Sequence, residues 1–445
     1  MRIASNIIET IKAKADIVEV IGEYVHLTKK GQNFIGLCPF HNDSTPSLTV
    51  SSAKGIYKCF ACDASGDVIK FLQEYLNISF VEAVKMLAKK YGVEIPEDSY
   101  SSIGDEDQRK RESMFIINDY ASKFYAENLF ADTDEARKAL YYATNRWPQD
   151  FIRTFGIGYA SNSWDSFSLW ANGKGLDKDL MLELGLVKEK STNDDVYDTF
   201  RGRIMIPIRD KQHRIIAFTA RLLPDILAHD PNAPKYINSS TSLIYDKGNS
   251  LFGIDVAWNV ASKAGVMNLV EGAPDVMRLQ VIGASNTVAP LGSSWTEAQL
   301  SMLKRITDRL NIIPDSDIPK EGEHFGVGFT SAMRTGKLAL SLGFIVTIQE
   351  IPIGDWKNDP DSYLVSKDKL DELTRQDFVM WYASKVINLN GENIPQQAKA
   401  IHEVAELVKT IPDKVLQESY TDKLINVYGH ENMWKREIMG VQSIP

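Results

Sequence analysis

The chain has 445 residues, of which 44% are hydrophobic, and a formal net charge of −9. This length and apolar content are sufficient for roughly three domains with sizeable cores. The acidic balance argues against a protein that coats duplex DNA through its overall field. No signal-type apolar segment follows Met1 and no apolar stretch is long enough to span a bilayer, so the sequence predicts a soluble cytoplasmic protein without a membrane partner.

All three cysteines of the chain lie in one constellation with a histidine. Cys38 and His41 form one pair, Cys59 and Cys62 form another, and two residues separate the members of each pair. Three thiolates and one imidazole form the set that surrounds a structural Zn²⁺ ion tetrahedrally. No cysteine remains for a disulfide, which fits a reducing compartment. The sequence therefore predicts a zinc ribbon with one structural zinc ion, the alternative being a reduced cysteine cluster beside a chance histidine.

Local patterns divide the N-terminal part of the chain from the rest. Apolar periodicity predicts a helix over 6–22, and alternation predicts strands over 23–27 and 56–60. Helices are predicted over 67–74 and 80–91. Residues 97–107 are acidic, Ser-rich and without an apolar period, so a linker is predicted at 98–110, after a zinc-binding domain at 1–97.

A basic segment follows a mostly helical stretch. Residues 201–250 carry an excess of four basic over acidic residues within an acidic chain. This excess indicates a local site for a polyanion, although a solvated basic face would have the same composition. We assign residues 111–263 to the N-terminal, basic part of a core.

After residue 265 the pattern becomes alternating strands and helices, which predicts a parallel sheet at 264–366. Glu271, Asp315 and Asp317 follow apolar strands, at the edge where such sheets place their sites. Asp359 and Asp361 repeat this arrangement after the last strand. Carboxylates suit Mg²⁺ or Mn²⁺, and two such ions can clamp the oxygens of a phosphoryl transfer. Loop acids and helix N-caps are the alternative explanation.

Several motifs of the chain resemble those of one known family, the bacterial-type (DnaG) primases. Residues 31–41, 45–47, 57–62 and 66–67, around the four zinc ligands, resemble the CHC2-type zinc domain of these enzymes. Residues 201–208 and 234–239 are similar to the basic segment that opens the family's polymerase core. Residues 270–276, 315–317 and 359–361 are similar to the acidic motifs of its Toprim fold. The resemblance runs from about Ile7 to Tyr428, in the family's order.

The resemblance implies an α+β multidomain protein with an N-terminal zinc ribbon and a mixed α/β primase core. That core would contain a Toprim parallel-sheet subdomain at 264–366 and a helical C-terminal subdomain at 367–445. The implied activity is that of a DNA primase, which synthesises short RNA primers de novo on a single-stranded DNA template during replication. Ribonucleoside triphosphates are the implied substrates, and two metal ions the implied catalytic cofactors.

The resemblance also implies roles for individual residues. Catalysis and the binding of Mg²⁺ or Mn²⁺ fall to Glu271, Asp315 and Asp317. Further metal ligands would be Asp275, Asp359 and Asp361. The incoming nucleotide's phosphates or the template would be bound by Arg201, Arg203, Arg221, Lys235, Tyr236 and Lys247. The zinc domain would read the template through a surface chosen from Lys29, Lys30, Phe34, Tyr57, Lys58 and Phe60.

The chain departs from the family pattern at three places. Residues 318–326 intervene between the aspartate pair and the next helix, and His324 in this insertion is either an extra ligand or a solvated loop residue. Asn145 and Arg146 stand where the family usually has Arg-Gly, which leaves the role of Arg146 open. No long helicase-docking domain and no Walker A motif are evident, so we expect a phage or mobile-element primase that contacts any replicative helicase differently.

Two other functions are weighed against the primase. A Toprim nuclease or topoisomerase-like enzyme would not need the basic segment 201–247 or a primase-type zinc motif. A non-catalytic zinc-ribbon DNA-binding replication protein would not need to keep Glu271, Asp315 and Asp317 together. The sequence therefore favours the primase.

Overall fold

The computed structural model describes residues 5–41, 43, 45–62, 64–76, 78, 80–93, 102–190, 195–354, 358–389 and 393–440. The chain divides into two compact units, Met1–Ser113 and Met114–Pro445. Each unit contains buried hydrophobic clusters of its own. Within the described ranges, no helix combines the length and the apolar character needed to cross a membrane.

The first unit is a five-stranded antiparallel sheet packed against helices. Its elements are α1 (Ser5–Lys14), α2 (Ile17–Gly22), β1 (Thr28–Lys30), β2 (Asn33–Gly36), β3 (Leu48–Ser51), β4 (Ile56–Cys59), β5 (Ser65–Gly66), α3 (Val68–Leu76) and α4 (Phe80–Tyr91). The strands lie in sequence order across the sheet. Leu48, Val50 and Tyr57 on one face pack with Phe71 of α3 in a single buried cluster, because cross-strand partners point to the same side.

The predicted strand at 56–60 and the helices at 67–74 and 80–91 are confirmed. The strand predicted over 23–27 is wrong. The backbone N–H groups of Tyr24 and Val25 donate to Ile21 O at 3.0 and 2.9 Å, so these residues form a turn that follows α2.

Residues 98–101 of the predicted linker at 98–110 lie outside the described residues. Its remaining residues belong to the helix α5 (Ser102–Leu129). This stretch lacks an apolar period, but its last part contains the good helix formers Gln108, Arg109 and Lys110. In addition, Gln108 Nε2 donates to Glu112 Oε1 at 2.9 Å across one turn.

The second unit begins with a helical and antiparallel part. After α5 its elements are α6 (Asp134–Thr144), α7 (Gln149–Phe155), β6 (Gly158–Ala160), α8 (Ser166–Gly173), α9 (Lys178–Glu183), β7 (Val187–Glu189), β8 (Val196–Asp198), β9 (Arg203–Arg209), β10 (Ile215–Leu222), α10 (Pro224–His229) and β11 (Tyr236–Asn238). Four strands form a sheet in the order β11-β10-β9-β6, and β7 pairs with β8. This part carries the basic segment of the chain.

The second unit continues with a mixed six-stranded sheet. Its elements are β12 (Leu251–Phe252), α11 (Ile254–Ala264), β13 (Met267–Leu269), α12 (Ala273–Val281), β14 (Thr287–Pro290), α13 (Glu297–Lys304), β15 (Arg309–Ile312), α14 (Val327–Ser341), β16 (Ile345–Gln349), α15 (Pro360–Tyr363), α16 (Lys367–Glu372) and β17 (Arg375–Asp377). The strand order is β12-β14-β13-β15-β16-β17. The four central strands are parallel and the two edge strands antiparallel, which confirms the predicted parallel core.

Four helices complete the second unit: α17 (Phe378–Leu389), α18 (Ile394–Lys409), α19 (Lys414–Tyr428) and α20 (Glu431–Met439). Trp381, Val404 and Trp434 from these helices share one buried cluster with strand residues such as Leu310 and Val346. The predicted helical C-terminal part is thus confirmed, with β17 as an additional strand. The α+β architecture expected from the sequence is confirmed as a whole.

A buried row of amide side chains crosses the centre of the six-stranded sheet. Asn311 Nδ2 donates to Asn268 Oδ1 at 3.0 Å and to Gln349 Oε1 at 2.8 Å. The Thr347 hydroxyl donates to Asn311 Oδ1 at 3.0 Å. Asn311 is fully buried. If its side chain were removed, no water would reach its partners to replace the lost hydrogen bonds.

We therefore expect Asn311→Ala to lower the free energy of unfolding by about 3 kcal/mol, since it leaves buried polar groups unsatisfied. Denaturant unfolding followed by circular dichroism measures this loss. Asn172→Ala, at an exposed position, should change the free energy by no more than about 0.5 kcal/mol. Equal effects of the two substitutions would contradict a stabilising role for the row.

Candidate functional site

The first unit brings the two pairs of predicted zinc ligands together. Pairing of β3 with β4 places Cys59, the last residue of β4, beside the residues that follow β2. The ligand atoms of Cys38, His41, Cys59 and Cys62 all lie within 4.8 Å of one another. Cys38 Sγ is 3.8 Å from Cys62 Sγ, and His41 Nδ1 is 3.9 Å from Cys59 Sγ. Thiolates about 2.3 Å from a tetrahedral zinc ion would be about 3.8 Å apart, so the quartet fits zinc.

A carboxylate that the sequence analysis missed supports these ligands. Asp43 Oδ2 accepts hydrogen bonds from Cys38 N at 2.8 Å and from the Ser47 hydroxyl at 2.5 Å. Asp43 Oδ1 lies 3.7 Å from His41 Nε2, the ring nitrogen that does not face the cysteines. Burial raises the pKa of Asp43, but the hydrogen bonds from Ser47 and Cys38 outweigh it and hold the pKa below its usual value. An acid two residues after a ligand His is the signal that could have revealed this orienting partner.

The six candidate template-reading residues of the first unit fall on both faces of its sheet. Tyr57 is buried and donates to Glu74 Oε2 at 2.9 Å, so its assignment to a surface is wrong. Lys29 lies opposite Phe34, on the same side of the sheet as Val50 and Tyr57. Lys30, Lys58 and Phe60 are exposed.

The second unit gathers the three acidic motifs. Glu271 follows β13, and Asp315 and Asp317 follow the neighbouring parallel strand β15. The Asp315 N–H donates to Glu271 Oε1 at 3.4 Å. Ser316 and Asn358 exchange backbone hydrogen bonds at 2.8 and 3.1 Å, which draws the third motif, Asp359–Asp361, to the aspartate pair.

Two of the predicted further metal ligands are held by protein groups. Asp275 accepts hydrogen bonds from the backbone N–H groups of Gly272 and Asp361 at 3.0 and 3.2 Å. The Asp361 carboxylate is ion-paired with Arg146 and lies 3.4 Å from Arg278 Nε. Burial, followed by the charges of Asp315 and Asp359, raises the pKa of Asp275 well above its usual value.

The carboxylates of the three acidic motifs lie close together, and such a cluster of like charges favours the binding of a divalent cation. Within the described ranges, the zinc quartet is the only group of three or more His, Cys, Asp or Glu residues whose ligand atoms already lie within 4.8 Å of one another. The acidic cluster is therefore looser than the zinc site. Its oxygen donors fit Mg²⁺ or Mn²⁺, ions that complete their coordination with water and substrate phosphates.

All of the predicted acidic ligands except Asp317 line a cleft of about 690 Å³. Basic and aromatic side chains line it with them, and we call this set the basic wall. Arg221 and Tyr236 are cross-strand partners on β10 and β11, and Arg221 NH1 donates to the Tyr236 hydroxyl at 2.9 Å. Lys235, the residue before β11, lines the same cleft. Arg146 also lines the cleft.

Three predicted basic residues do not line this cleft among the described residues. Arg203 is buried, and its NH1 donates to Pro234 O at 2.9 Å. The guanidinium carbon of Arg201 lies 3.2 Å from the centre of a Trp164 ring. The Lys247 carbonyl accepts from Gln299 Nε2 at 2.9 Å.

Asp317 and the inserted loop line a second cavity. This cavity has a volume of about 410 Å³ and also contacts Asp315, so it adjoins the cleft. His324 lies on its wall and is otherwise exposed, as expected of a loop residue.

Three family models match the chain. The CHC2 zinc finger matches residues 3–102, and the N-terminal domain of the DNA primase catalytic core matches residues 124–258. The DnaB-helicase binding domain of primase matches residues 377–429. The expectation that no helicase-docking domain is present, and with it the phage-type interpretation, is therefore wrong. The docking segment lies within the helices that the sequence analysis assigned entirely to the core.

Relatives and solved structures resemble the chain over most of its length. The DNA primase of Halalkalibacterium halodurans is 36% identical over 421 residues, which cover 92% of this chain and 67% of the relative. The DNA primase of Clostridium acetobutylicum is 33% identical, and the match covers 95% of this chain and 68% of the relative.

The crystal structure of the Aquifex aeolicus primase (zinc binding and RNA polymerase domains) has 29% identity and a TM-score of 0.60, covering 98% of this chain and 99% of that chain. A DNA primase domain from Pseudomonas aeruginosa has 25% identity and a TM-score of 0.62, covering 73% and 99%. The chain therefore belongs to the DnaG family of bacterial DNA primases, nucleotidyltransferases that polymerise RNA in DNA replication.

Proposed function

We propose that this chain synthesises short RNA primers de novo on single-stranded DNA, and that its catalytic centre is the 690 Å³ cleft. The observation that carries the proposal is the meeting of three acidic motifs with a basic wall in one cleft. Glu271, Asp315 and Asp317 would hold the Mg²⁺ or Mn²⁺ ions. When bound, such ions lower the pKa of an attacking hydroxyl and neutralise charge on the triphosphate.

The basic wall binds the substrate's phosphates. Arg221 presents a planar fork to phosphate oxygens, and Lys235 adds a compact charge. Tyr236 orients Arg221 through the hydrogen bond between its hydroxyl and the guanidinium. Asp361 holds Arg146 at the cleft by their ion pair, so we assign Asp361 to positioning rather than to direct metal binding.

A template-directed assay tests this function. Single-stranded DNA, ribonucleoside triphosphates and Mg²⁺ or Mn²⁺ should suffice for the chain to produce oligoribonucleotides without a pre-existing 3′ end. The absence of products with either metal and across varied templates, despite binding of the DNA, would favour the non-catalytic alternative.

We further propose that the exposed face of the first unit's sheet reads the template. Lys58 Nζ lies 5.6 Å from the centre of the Phe60 ring, and that ring is 72% exposed. Lys30 lies on the same unit, exposed at the end of β1. Exposed aromatic rings stack on unpaired bases while lysines contact phosphates, which suits a single strand.

Phe60→Ala should weaken binding of single-stranded DNA by roughly tenfold, since stacking on one base contributes about 1–3 kcal/mol. Fluorescence anisotropy of a labelled oligonucleotide with the full chain measures this. Phe80→Ala removes a partly exposed ring at the start of α4 and should leave the affinity unchanged. An equal loss in both variants would contradict a specific reading face.

The segment 377–429 is proposed to contact a DnaB-type replicative helicase. Val415 and Val427 of α19 are 72% and 58% exposed and offer apolar contact area there. Adding the cognate helicase to the priming assay should raise the primer yield. A yield that does not depend on the helicase would argue against this contact.

A further inference from the structure

The 410 Å³ cavity beside the aspartate pair is lined by residues of the inserted loop and of α17. Phe325 and His324 reach it from the inserted loop 318–326, and Trp381 and Lys385 reach it from α17. Its volume is that of a small-molecule site, for which about 300–1,000 Å³ is typical. Because Asp315 and Asp317 line it too, a ligand here would lie directly beside the metal-binding acids.

The walls of the cavity are aromatic and flat. The rings of Phe325 and Phe329 stack with their centroids 3.8 Å apart, and Phe329 lies 4.8 Å from Trp381. Such surfaces accept another planar ring by offset or edge contact. The cavity therefore favours a flat aromatic ligand.

Polar groups in the walls specify more about that ligand. Trp381 is 1% exposed, and its indole N–H has no hydrogen-bond acceptor among the described residues. That nitrogen is closed to solvent as well, so it lies within the packed wall and does not face the cavity. Lys385 Nζ pairs with Glu350 Oε1 at 2.8 Å, which adds a cation and a carboxylate at the same cavity. A ligand with polar atoms at its edge suits this pair better than a purely apolar one, which would shield both charges from water without a contact in return.

We propose that this cavity receives the nucleobase of a ribonucleoside triphosphate whose phosphates lie at the metal ions held by Asp315 and Asp317. A nucleobase is planar, and its edge carries donors and acceptors that suit the ammonium of Lys385 and the carboxylate of Glu350. This inference rests on the proposed function, because it assigns a subsite of the same catalytic centre. It gives the inserted loop a role in holding one of the two nucleotides that initiation requires.

The test compares a nucleotide with a ligand that lacks the base. Binding of 2-aminopurine riboside triphosphate is followed by its fluorescence quenching in the presence of Mg²⁺, and inorganic tripolyphosphate is measured by competition. Phe325→Ala should raise the dissociation constant of the nucleotide by roughly tenfold, in keeping with the loss of one stacking partner, and leave that of tripolyphosphate unchanged. Phe329→Leu removes the ring that stacks on Phe325, and should weaken nucleotide binding several-fold. Ile318 lies in the same loop but is exposed and does not line the cavity. Ile318→Ala should therefore leave the dissociation constant of the nucleotide unchanged.

Photo-crosslinking supplies a readout independent of affinity. An 8-azidoadenosine triphosphate should label the peptide that contains 324–329. Labelling of 221–236 alone would overturn the assignment of the cavity, and so would equal nucleotide affinity in wild type and Phe325→Ala. The proposed function would still stand in either case if the wild type synthesises primers. Absence of primer synthesis by the wild type would instead overturn the proposed function itself.

Thermal melts of both cavity variants show whether the folded state is retained. Phe325 is half-buried on a loop, so we expect this position to tolerate substitution by alanine.

Discussion

Asp317→Ala and Asp315→Ala should each reduce primer synthesis by roughly 10²–10³-fold or more, the range found when one preorganised electrostatic group is removed from a catalytic site. The expectation follows from their position directly after β15, where the Asp315 N–H donates to Glu271 Oε1. Asp317 Oδ2 also accepts a hydrogen bond from the Gly328 N–H at 2.9 Å. Loss of this hydrogen bond should lower the free energy of unfolding by only about 1 kcal/mol, so the variant should still fold.

Asp317→Asn separates charge from structure. The amide oxygen can still accept from the Gly328 N–H, but the negative charge that a metal ion needs is absent. Primer synthesis should therefore fall in Asp317→Asn nearly as far as in Asp317→Ala. Combining Asp315→Ala with Asp317→Ala should add little to either single change, because residues that act as one unit are strongly non-additive.

Gel separation of radiolabelled products from single-stranded DNA, ribonucleotides and Mg²⁺ or Mn²⁺ provides the measurement. Asp308→Ala is the matched control, since Asp308 precedes β15 at its other end and pairs with Lys304 on the surface. This control should retain full synthesis. Wild-type yields from the Asp315 and Asp317 variants with both metals would refute the assignment of the centre. Strand cleavage in place of synthesis would point to the nuclease alternative.

The parts of the fold that local spacing determines could be predicted from the sequence. The zinc quartet follows from two ligand pairs, and the carboxyl ends of apolar strands placed Glu271 and Asp315 at one edge of the sheet. Which face a residue occupies depends on strand register instead. In β9 six consecutive residues from Arg203 are buried, so no alternation in the sequence distinguishes Arg203 from an exposed arginine.

Long-range contacts account for the other differences. Nothing local predicts that Arg146 meets Asp361, since the two residues are distant in the chain and are joined only by the tertiary fold. The helicase-docking segment was missed for a related reason. Its helices share a buried cluster with the six-stranded sheet, so no linker composition separates it from the core.

Removal of zinc should unfold the first unit and leave the second unit folded. Cys38 and Cys59 are themselves members of the first unit's buried cluster, so the zinc site and the core of that unit form together. A structural zinc ion contributes about 10–16 kcal/mol in small zinc domains. This is comparable with or larger than the whole stability of a typical domain, about 5–15 kcal/mol.

Cys59→Ser should therefore lose the zinc ion and abolish the part of template binding that depends on Phe60, which follows Cys59 directly. Metal analysis should give one zinc per wild-type chain and none in the variant. A thermal melt should lose the transition of the first unit and keep that of the second, whose core contains no zinc ligand. Where zinc is removed with a chelator, Mg²⁺ is added back afterwards, so that the concentration of the catalytic ions is the same in every sample.

Asp43→Asn is the graded comparison, because it keeps all four ligands and changes only the group that orients them. The amide can still accept from the Cys38 N–H, but it removes the negative charge beside His41 Nε2. Loss of such a partner lowers metal affinity by about 10–100-fold, so this variant should bind zinc more weakly and still fold when zinc is in excess. A Cys59→Ser chain that kept its zinc and its first melting transition would show that the fold does not depend on the metal. In that case the template-reading face would have to be held by the aromatic packing of Phe71 and Tyr57 alone.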